Sequence, residues 1–244
     1  MSQTLITVAP TGAEHLKADV PQLPTTLDLG RLRDTVAALR EQTSLIVQLS
    51  TGGSVHDPLE NRLRVLEAAP DSCSLTCGTV NFGDDVFLNP WPFMVELYEA
   101  AREARVVPEF ELFDLGHVAA LRRLLDTCGL PYGGKVHCDF VTGVPGGMPG
   151  TAAALVAGVQ ALPAETTSWS ATGIGRAHLP VAAAALAMGG HLRVGMEDNV
   201  VYARGRQVRS NAELVERAAR LATELQRPPM STADARALLG LPAA

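Results

Sequence analysis

The stretch Val107–Cys128 reads VPEFELFDLGHVAALRRLLDTC, and it sets the pattern of the whole chain. Its first part, Val107–Phe113, alternates acidic and apolar side chains with the period of a β-strand, so Glu109 and Glu111 share one face. Asp114-Leu115-Gly116 ends that run, and Val118–Cys128 then carries apolar residues at helical spacing. Downstream the same unit recurs: strand Val136–Val141, loop TGVPGGMPG and helix Thr151–Leu162, then strand Ser168–Thr172, loop Gly173–Arg176 and helix Leu179–Met188. A last strand, His191–Met196, follows. Upstream lie strand Cys73–Cys77, loop Gly78–Asp85 and helix Phe93–Arg105, preceded by strand Ser44–Leu49, loop Ser50-Thr51-Gly52-Gly53 and helix Arg62–Ala69. Leu27–Thr43 has helical spacing, and Leu5–Ala9 is a short β run. Ser210 and Glu213 have the spacing of a capping box and open a closing helix, and a short helix follows Ser231 and ends near Leu239.

Strand-then-helix units of about 30 residues give parallel strands with right-handed crossovers. The class is α/β. An open doubly wound sheet and a TIM (β/α)8-type barrel both fit. The barrel is favoured because polar groups follow almost every strand, as in a site built from loops around one mouth. An open sheet would concentrate them at one switch point. The count is seven strands rather than eight, so one βα unit is missing from an expected single barrel domain over residues 1–244.

With 244 residues, 47% hydrophobic and 19% charged, the chain can bury a large core. A net charge of −6 and a pI near 5.5 argue against nucleic acid or a membrane surface as partner. No apolar run reaches the roughly 18 residues of a membrane span, and MSQTLITVAP lacks a signal-peptide pattern. Cys73, Cys77, Cys128 and Cys138 form no C-x-x-C pair, so free and mostly buried thiols in a cytoplasmic protein are expected.

The densest chemistry lies in Gly189–Asn199, GGHLRVGMEDN. Strand alternation puts His191, Arg193, Gly195 and Glu197 on one face, with Asp198 where the strand gives out. Burying Arg and Glu costs several kcal/mol each unless they are paired or hold a ligand. A purely structural Arg193–Glu197 pair also satisfies that condition. Glu109 and Glu111 read either as solvated acids on a half-exposed strand or as lumen acids that need a cation, and Arg193 is a fitting partner for Glu111. Ser50 with Gly52 and Gly53 reads as an ordinary turn or as backbone N–H groups open to a carboxylate or phosphate. No G-x-S-x-G, P-loop or G-x-G-x-x-G motif is present, although loops after late barrel strands can hold the phosphates of a coenzyme A or nucleotide tail. No two of the six histidines stand at i, i+2 or i, i+4, so paired imidazole ligands are lacking.

Seven motifs in order, ITVAPTGAE, QLSTGG, CGTVNFGDDVFLN, PEFELFDLGH, GVPGGMP, GIGRAHLP and GGHLRVGMEDN, resemble the β-keto acid cleavage enzymes, which include 3-keto-5-aminohexanoate cleavage enzyme. The resemblance covers nearly all of the chain. It implies a zinc-dependent (β/α)8 barrel that forms homo-oligomers and takes a small β-keto acid and acetyl-CoA to acetoacetate and a new acyl-CoA. It also implies that Glu197 is a metal ligand and that Arg193 and Asp198 are catalytic. Ser50 would help hold the substrate and the attacking group, and Ser74 would be a hydroxyl at the substrate. Glu14 and Glu111 would be acids near the substrate's variable end and the catalytic arginine, with Gly52 and Gly53 in the substrate loop.

One departure stands out. The family's H-x-H metal motif on its second barrel strand has no counterpart, because PQLPTT at Pro21–Thr26 passes directly to LDLGRLRDTV. The lost piece is about one βα unit of a barrel of about 250 residues. Three readings follow. The chain is an enzyme that cleaves β-keto acids, with a group such as His137 or Cys77 replacing the lost ligands. Alternatively it is a catalytically impaired, internally deleted relative that at most binds an acyl-CoA or keto acid. A metal-independent Schiff-base aldolase is the third, but Lys17 lies in a loop and Lys135 at the wrong end of its strand.

Overall fold

A computed structural model of the chain describes residues 3–8 and 27–243. Its main sheet has seven strands, all paired in parallel: β1 (Ile6–Val8), β2 (Gln48–Leu49), β3 (Ser72–Thr76), then β6 (Val107–Leu112), β7 (Val136–Thr142), β8 (Thr166–Gly173) and β9 (His191–Val194). Between β3 and β6 runs an antiparallel hairpin, β4 (Val80–Phe82) and β5 (Asp85–Phe87), which starts in the segment Gly78–Asp85 expected to be a plain loop and runs two residues past it. A second hairpin, β10 (Val201–Ala203) and β11 (Arg206–Gln207), follows β9.

Helices connect the strands: α1 (Leu29–Gln42), α2 (Leu59–Arg64, continued by a 3-10 turn to Ala68), α3 (Trp91–Glu103), α4 (Leu115–Cys128), α5 (Ala152–Ala161), α6 (His178–Ala187), α7 (Asn211–Glu224) and α8 (Thr232–Leu239). Side-chain caps set where several begin. Asp28 accepts from the Arg31 N–H, Asp114 from Gly116, Thr151 from Ala154 and Ser210 from Glu213. Asp114 is thus a helix cap. In α7 the Glu213 carboxylate reaches back to the Arg209 N–H, one residue before the cap.

The strand order is β1-β9-β8-β7-β6-β3-β2, the order of a barrel unrolled from one seam. Among the described residues β1 pairs only with β9 and β2 only with β3. The seam lies between β1 and β2, where the sequence lacks one βα unit, so the fold is a TIM-type partial barrel. Curling is visible in the side chains. Strands β6 and β9 have two strands between them, about 14 Å in a flat sheet, yet Arg193 of β9 and Glu111 of β6 touch at 2.7 Å.

Alternation divides the sheet into two faces. Cys73, Leu75, Phe110, Leu112, Cys138, Phe140 and Leu192 point outward into one apolar core shared with the helices. The inward residues are polar: Ser72, Ser74, Thr76, Glu109, Glu111, His137, Asp139, Ser168, Ser170, Thr172 and His191 are all buried there. The stabilising apolar burial is therefore between sheet and helices, and the lumen is lined by polar side chains. All four cysteines are free thiols, and Cys73, Cys77 and Cys138 are buried. Among the described residues no helix is long and apolar enough to cross a membrane.

Candidate active site

A cavity opens at the C-terminal ends of the strands. Its polar lining is Ser50, Gly52 and Gly53 after β2, Glu111 near the end of β6, and Arg193, Glu197 and Asp198 at and beyond the end of β9. Phe82 and Phe87 of the β4–β5 hairpin, with Phe113, Val141 and Ile174, form its apolar wall. The edge-to-face contacts of Phe82 with Phe87 and Phe113, at 6.0 Å each, hold that wall together.

Arg193 is the hub. Its Nη1 donates to Glu111 Oε1 at 2.7 Å, and its Nη2 donates to Glu197 Oε1 and Asp198 Oδ1 at 3.1 Å each. Glu111 Oε2 accepts from the Thr76 hydroxyl at 2.8 Å, which fixes the carboxylate from the neighbouring strand. The strand stops at Val194, so Glu197 reaches Arg193 through the turn after Gly195, at i,i+4, and not by strand alternation. Two polar atoms have no partner: Arg193 Nε and Asp198 Oδ2 are buried and free of hydrogen bonds.

Three carboxyls share one guanidinium. Burial works against the Arg193 charge, but Asp198, Glu197, Glu111 and Asp139 together hold its pKa well above the usual value. Burial raises the Glu197 carboxyl to about 7 and raises Asp198, in both cases against the pull of Arg193. Both carboxyls therefore hold protons more tightly than free acids.

The Ser50 loop is built tightly. Ser50 Oγ accepts the Gly52 N–H at 3.0 Å, and Ser74 Oγ stands 3.5 Å from it. Ser74 also accepts the Thr51 N–H at 3.2 Å, and its carbonyl accepts the Thr51 hydroxyl at 2.8 Å. Ser74 is thus buried behind the loop and supports it. Gly53 has φ +60°, and a Cβ there would stand 2.3 Å from the Asp57 carboxylate, so only glycine fits. Arg62 is the residue the sequence reading overlooked. Buried to 2% exposure, it donates to the Thr51 and Leu88 carbonyls and to Asn89 Oδ1. Its guanidinium stacks on Phe87 and Phe93, 4.6 Å from each ring centre. It thereby ties the Ser50 loop to the aromatic wall.

Below this cluster the lumen holds a second polar layer. Glu109 Oε2 lies 3.5 Å from His137 Nε2, while Glu109 Oε1 has no partner. His137 Nδ1 is 2.7 Å from the Ser168 hydroxyl, and Asp139 accepts from Ser170 and Thr172 at 2.6 and 2.7 Å. Burial pushes Glu109 up to about 8 and His137 down to about 3, so these two groups are held neutral at pH 7, while burial raises Asp139 only to about 6.

The residues do not fit the zinc that the sequence resemblance implies. Among the described residues no group of three or more His, Cys, Asp and Glu side chains is placed to hold a metal ion. Glu197 Oε1 is engaged by Arg193, and His137 lies in the deeper layer. Cys77 packs in the outer apolar core, so it cannot replace a lost ligand. Glu14, Lys17 and the Pro21–Thr26 junction lie outside the described residues. Lys135 is exposed just before β7, at the opposite end of the barrel from the cavity.

The model of the "beta-keto acid cleavage enzyme" family matches residues 25–241. The 3-keto-5-aminohexanoate cleavage enzyme of Acetoanaerobium sticklandii is 38% identical over 213 residues, 86% of this chain and 77% of its own length. The 3-oxoadipate:acetyl-CoA acetyltransferase of Cupriavidus necator is 38% identical over 201 residues, 81% of this chain and 69% of its own. Among solved structures, apo ObcA superposes with a TM-score of 0.77 at 19% identity over 88% of this chain. Its ternary complex with a C4-CoA adduct and oxalate has the same TM-score. This chain spans 55% and 57% of the length of those two solved chains, and the likeness concerns the fold.

Proposed function

The chain belongs to the β-keto acid cleavage enzyme family, and from that premise we propose that its cavity converts a β-keto acid and acetyl-CoA into acetoacetate and a new acyl-CoA. One observation carries the reading: Asp198, held by Arg193, presents a buried and unpartnered carboxylate oxygen beside the cavity. Asp198 takes the proton from the carbon between the substrate's ketone and carboxylate. That carbon attacks the acetyl carbonyl carbon of acetyl-CoA, and the C–S bond breaks to release the coenzyme A thiolate. The thiolate adds to the old ketone carbon. The bond between that carbon and the attacking carbon breaks to give the new acyl-CoA and the enolate of acetoacetate, and Asp198 returns the proton to the enolate. One carbon–carbon bond is exchanged for another, and no oxidant or reductant is consumed. Arg193 orients Asp198 and offers its free Nε–H to a substrate oxygen. The Ser50 hydroxyl and the Gly53 N–H hold the carboxylate.

The test is direct. The purified chain is incubated with acetyl-CoA and a panel of β-keto acids, and acetoacetate and new acyl-CoA are read by mass spectrometry. Turnover lost by at least about 100-fold in Asp198→Asn supports the reading. A folded chain without turnover on any keto acid sinks it. A second reading, a protein that binds these ligands without cleaving them, is favoured by the seam between β1 and β2 and by the lack of a metal-holding group among the described residues. Calorimetric binding of coenzyme A and a keto acid without products would establish that reading instead.

A further inference from the structure

A second cavity, of about 240 Å3, lies beside the first and is distinct from it. It is formed by the segment that follows β8 and by the segment that follows β9, including hairpin β10–β11, with one side chain from α7. In barrels of this class those two loops are a common place for phosphate. Three arginines line it, Arg176, Arg204 and Arg217, and no acid does.

Arg217 is the informative one. It is 7% exposed. Its Nη1 donates to the Tyr202 carbonyl at 2.6 Å, and its guanidinium lies over the Tyr202 ring at 4.2 Å. Its Nε and Nη2 are buried with no hydrogen-bond partner. The nearby acid on the same helix, Glu213, is already held by Arg206 and Arg209. A buried guanidinium with two idle donors costs free energy that an anion would offset. Helix α6, ten residues long, continues from a 3-10 turn, Gly175–Ala177, whose Gly175 and Arg176 line the same cavity, and this end of the helix has no side-chain cap, so it adds the positive end of a helix dipole.

The two cavities share a wall. Ile174 and Asp198 line the first and their chain neighbours Gly175 and Asn199 line the second. The Gly175 N–H donates to the Asp198 carbonyl at 2.8 Å and closes that wall. The geometry points to the second cavity as the subsite for the phosphate groups of coenzyme A, with Arg176, Arg204 and Arg217 as their ligands. The pantetheine arm then passes over the wall that Gly175 and Asp198 form and delivers the thioester to Arg193 and Asp198. This assignment rests on the reading of acetyl-CoA as co-substrate.

The experiment is titration calorimetry of the full chain with coenzyme A, pantetheine and inorganic pyrophosphate. It uses wild type and the double variant Arg176→Ala/Arg204→Ala, whose two side chains are exposed and whose fold is checked by circular dichroism. The double variant should bind coenzyme A about tenfold or more weakly and pantetheine unchanged, and pyrophosphate should compete with coenzyme A on wild type. Coenzyme A binding that is equal in both proteins overturns the subsite and leaves the proposed function standing. Pyrophosphate binding that leaves coenzyme A affinity untouched assigns the arginines to a free anion and also overturns it. A wild type that binds no coenzyme A overturns the proposed function, and the subsite with it.

Discussion

Arg193 holds Asp198 by one carboxylate oxygen, at 3.1 Å, and leaves the other oxygen buried and unpaired. A structural ion pair would normally satisfy both oxygens, because an unpaired buried polar atom costs about 1–3 kcal/mol. The half-satisfied pair therefore leaves one unpaired carboxylate oxygen on a residue that lines the cavity. It also makes Arg193 the one cation among the lumen-facing residues of the described strands, set against Glu111, Glu197 and Asp198.

Replacing Arg193 tests that balance. Arg193→Ala leaves two buried carboxyls, Glu111 and Asp198, and the half-buried Glu197 without their guanidinium, and loss of one partner from a buried ion cluster costs about 3–5 kcal/mol. The loss should be larger at pH 8 than at pH 5, because at low pH Glu197 and Asp198, whose pKa values burial already raises, can neutralise by taking up protons. Urea denaturation at the two pH values checks this. Equal losses would mean that the carboxyls are not charged around Arg193.

Glu109 gives a second pH dependence, with the opposite substitution effect. Its folded pKa, about 8, lies above the 4.5 of the free acid, because burial outweighs the pull of Arg193 and the Gln48 hydrogen bond, while Asp139 and Glu111 push it further up. His137, 3.5 Å away, is neutral over this range. Between pH 4.5 and 8 the unfolded chain releases this proton and the native chain keeps it, so the native contribution is full below 4.5 and is lost as pH rises to 8. Glu109→Gln removes the titration and keeps the shape. Its melting temperature should match wild type near pH 4.5 and exceed it by at least about 3 °C above pH 8. A variant less stable than wild type at both ends would show that Glu109 is ionised in the fold.

The alternation of Glu109-Phe110-Glu111 made the inner and outer faces of β6 legible in the sequence, and with them the Arg193–Glu111 contact. The strand count was equally legible, and the break read at Thr26-Leu27 lies in sequence between β1 and β2, the two end strands of the sheet. Other features were not. The β4–β5 hairpin has strands of three residues each, too short for a period to emerge beside Gly83-Asp84. Arg62 looks like any helix-surface arginine, because its partners are carbonyls of Thr51 and Leu88 that only the tertiary fold brings near. The second cavity is built from arginines spaced along residues 176–217, and no local motif joins them.

Arg62 predicts a localised effect. It bonds three acceptors on two separate segments, and a lysine ammonium cannot reach all three in its place. Burial pushes its own pKa down to about 10 against the pull of Glu111 and Asp57, so it stays charged at neutral pH. Arg62→Met should lose about 3–5 kcal/mol and Arg62→Lys somewhat less. Amide exchange at Thr51–Gly53 should quicken in both, more than at β7 or β8. Uniformly faster exchange over the whole chain would show that Arg62 supports the core at large and not the Ser50 loop.

The donor set predicts the metal content. Zinc sites use three or four protein ligands, and no described group of three exists. Glu197 gives one carboxylate that Arg193 already holds. Burial pushes the Cys73 and Cys138 thiols up to about 12 and raises Cys77 as well, so a thiolate at any of these is costly. His137 is committed to Ser168. Elemental mass spectrometry of the purified chain should therefore find well under one zinc per chain, and a chelator should leave the melting temperature unchanged within about 1 °C. Near-stoichiometric zinc with a melting temperature that falls on chelation would overturn this, and would place the missing ligands in residues 9–26 or on another chain.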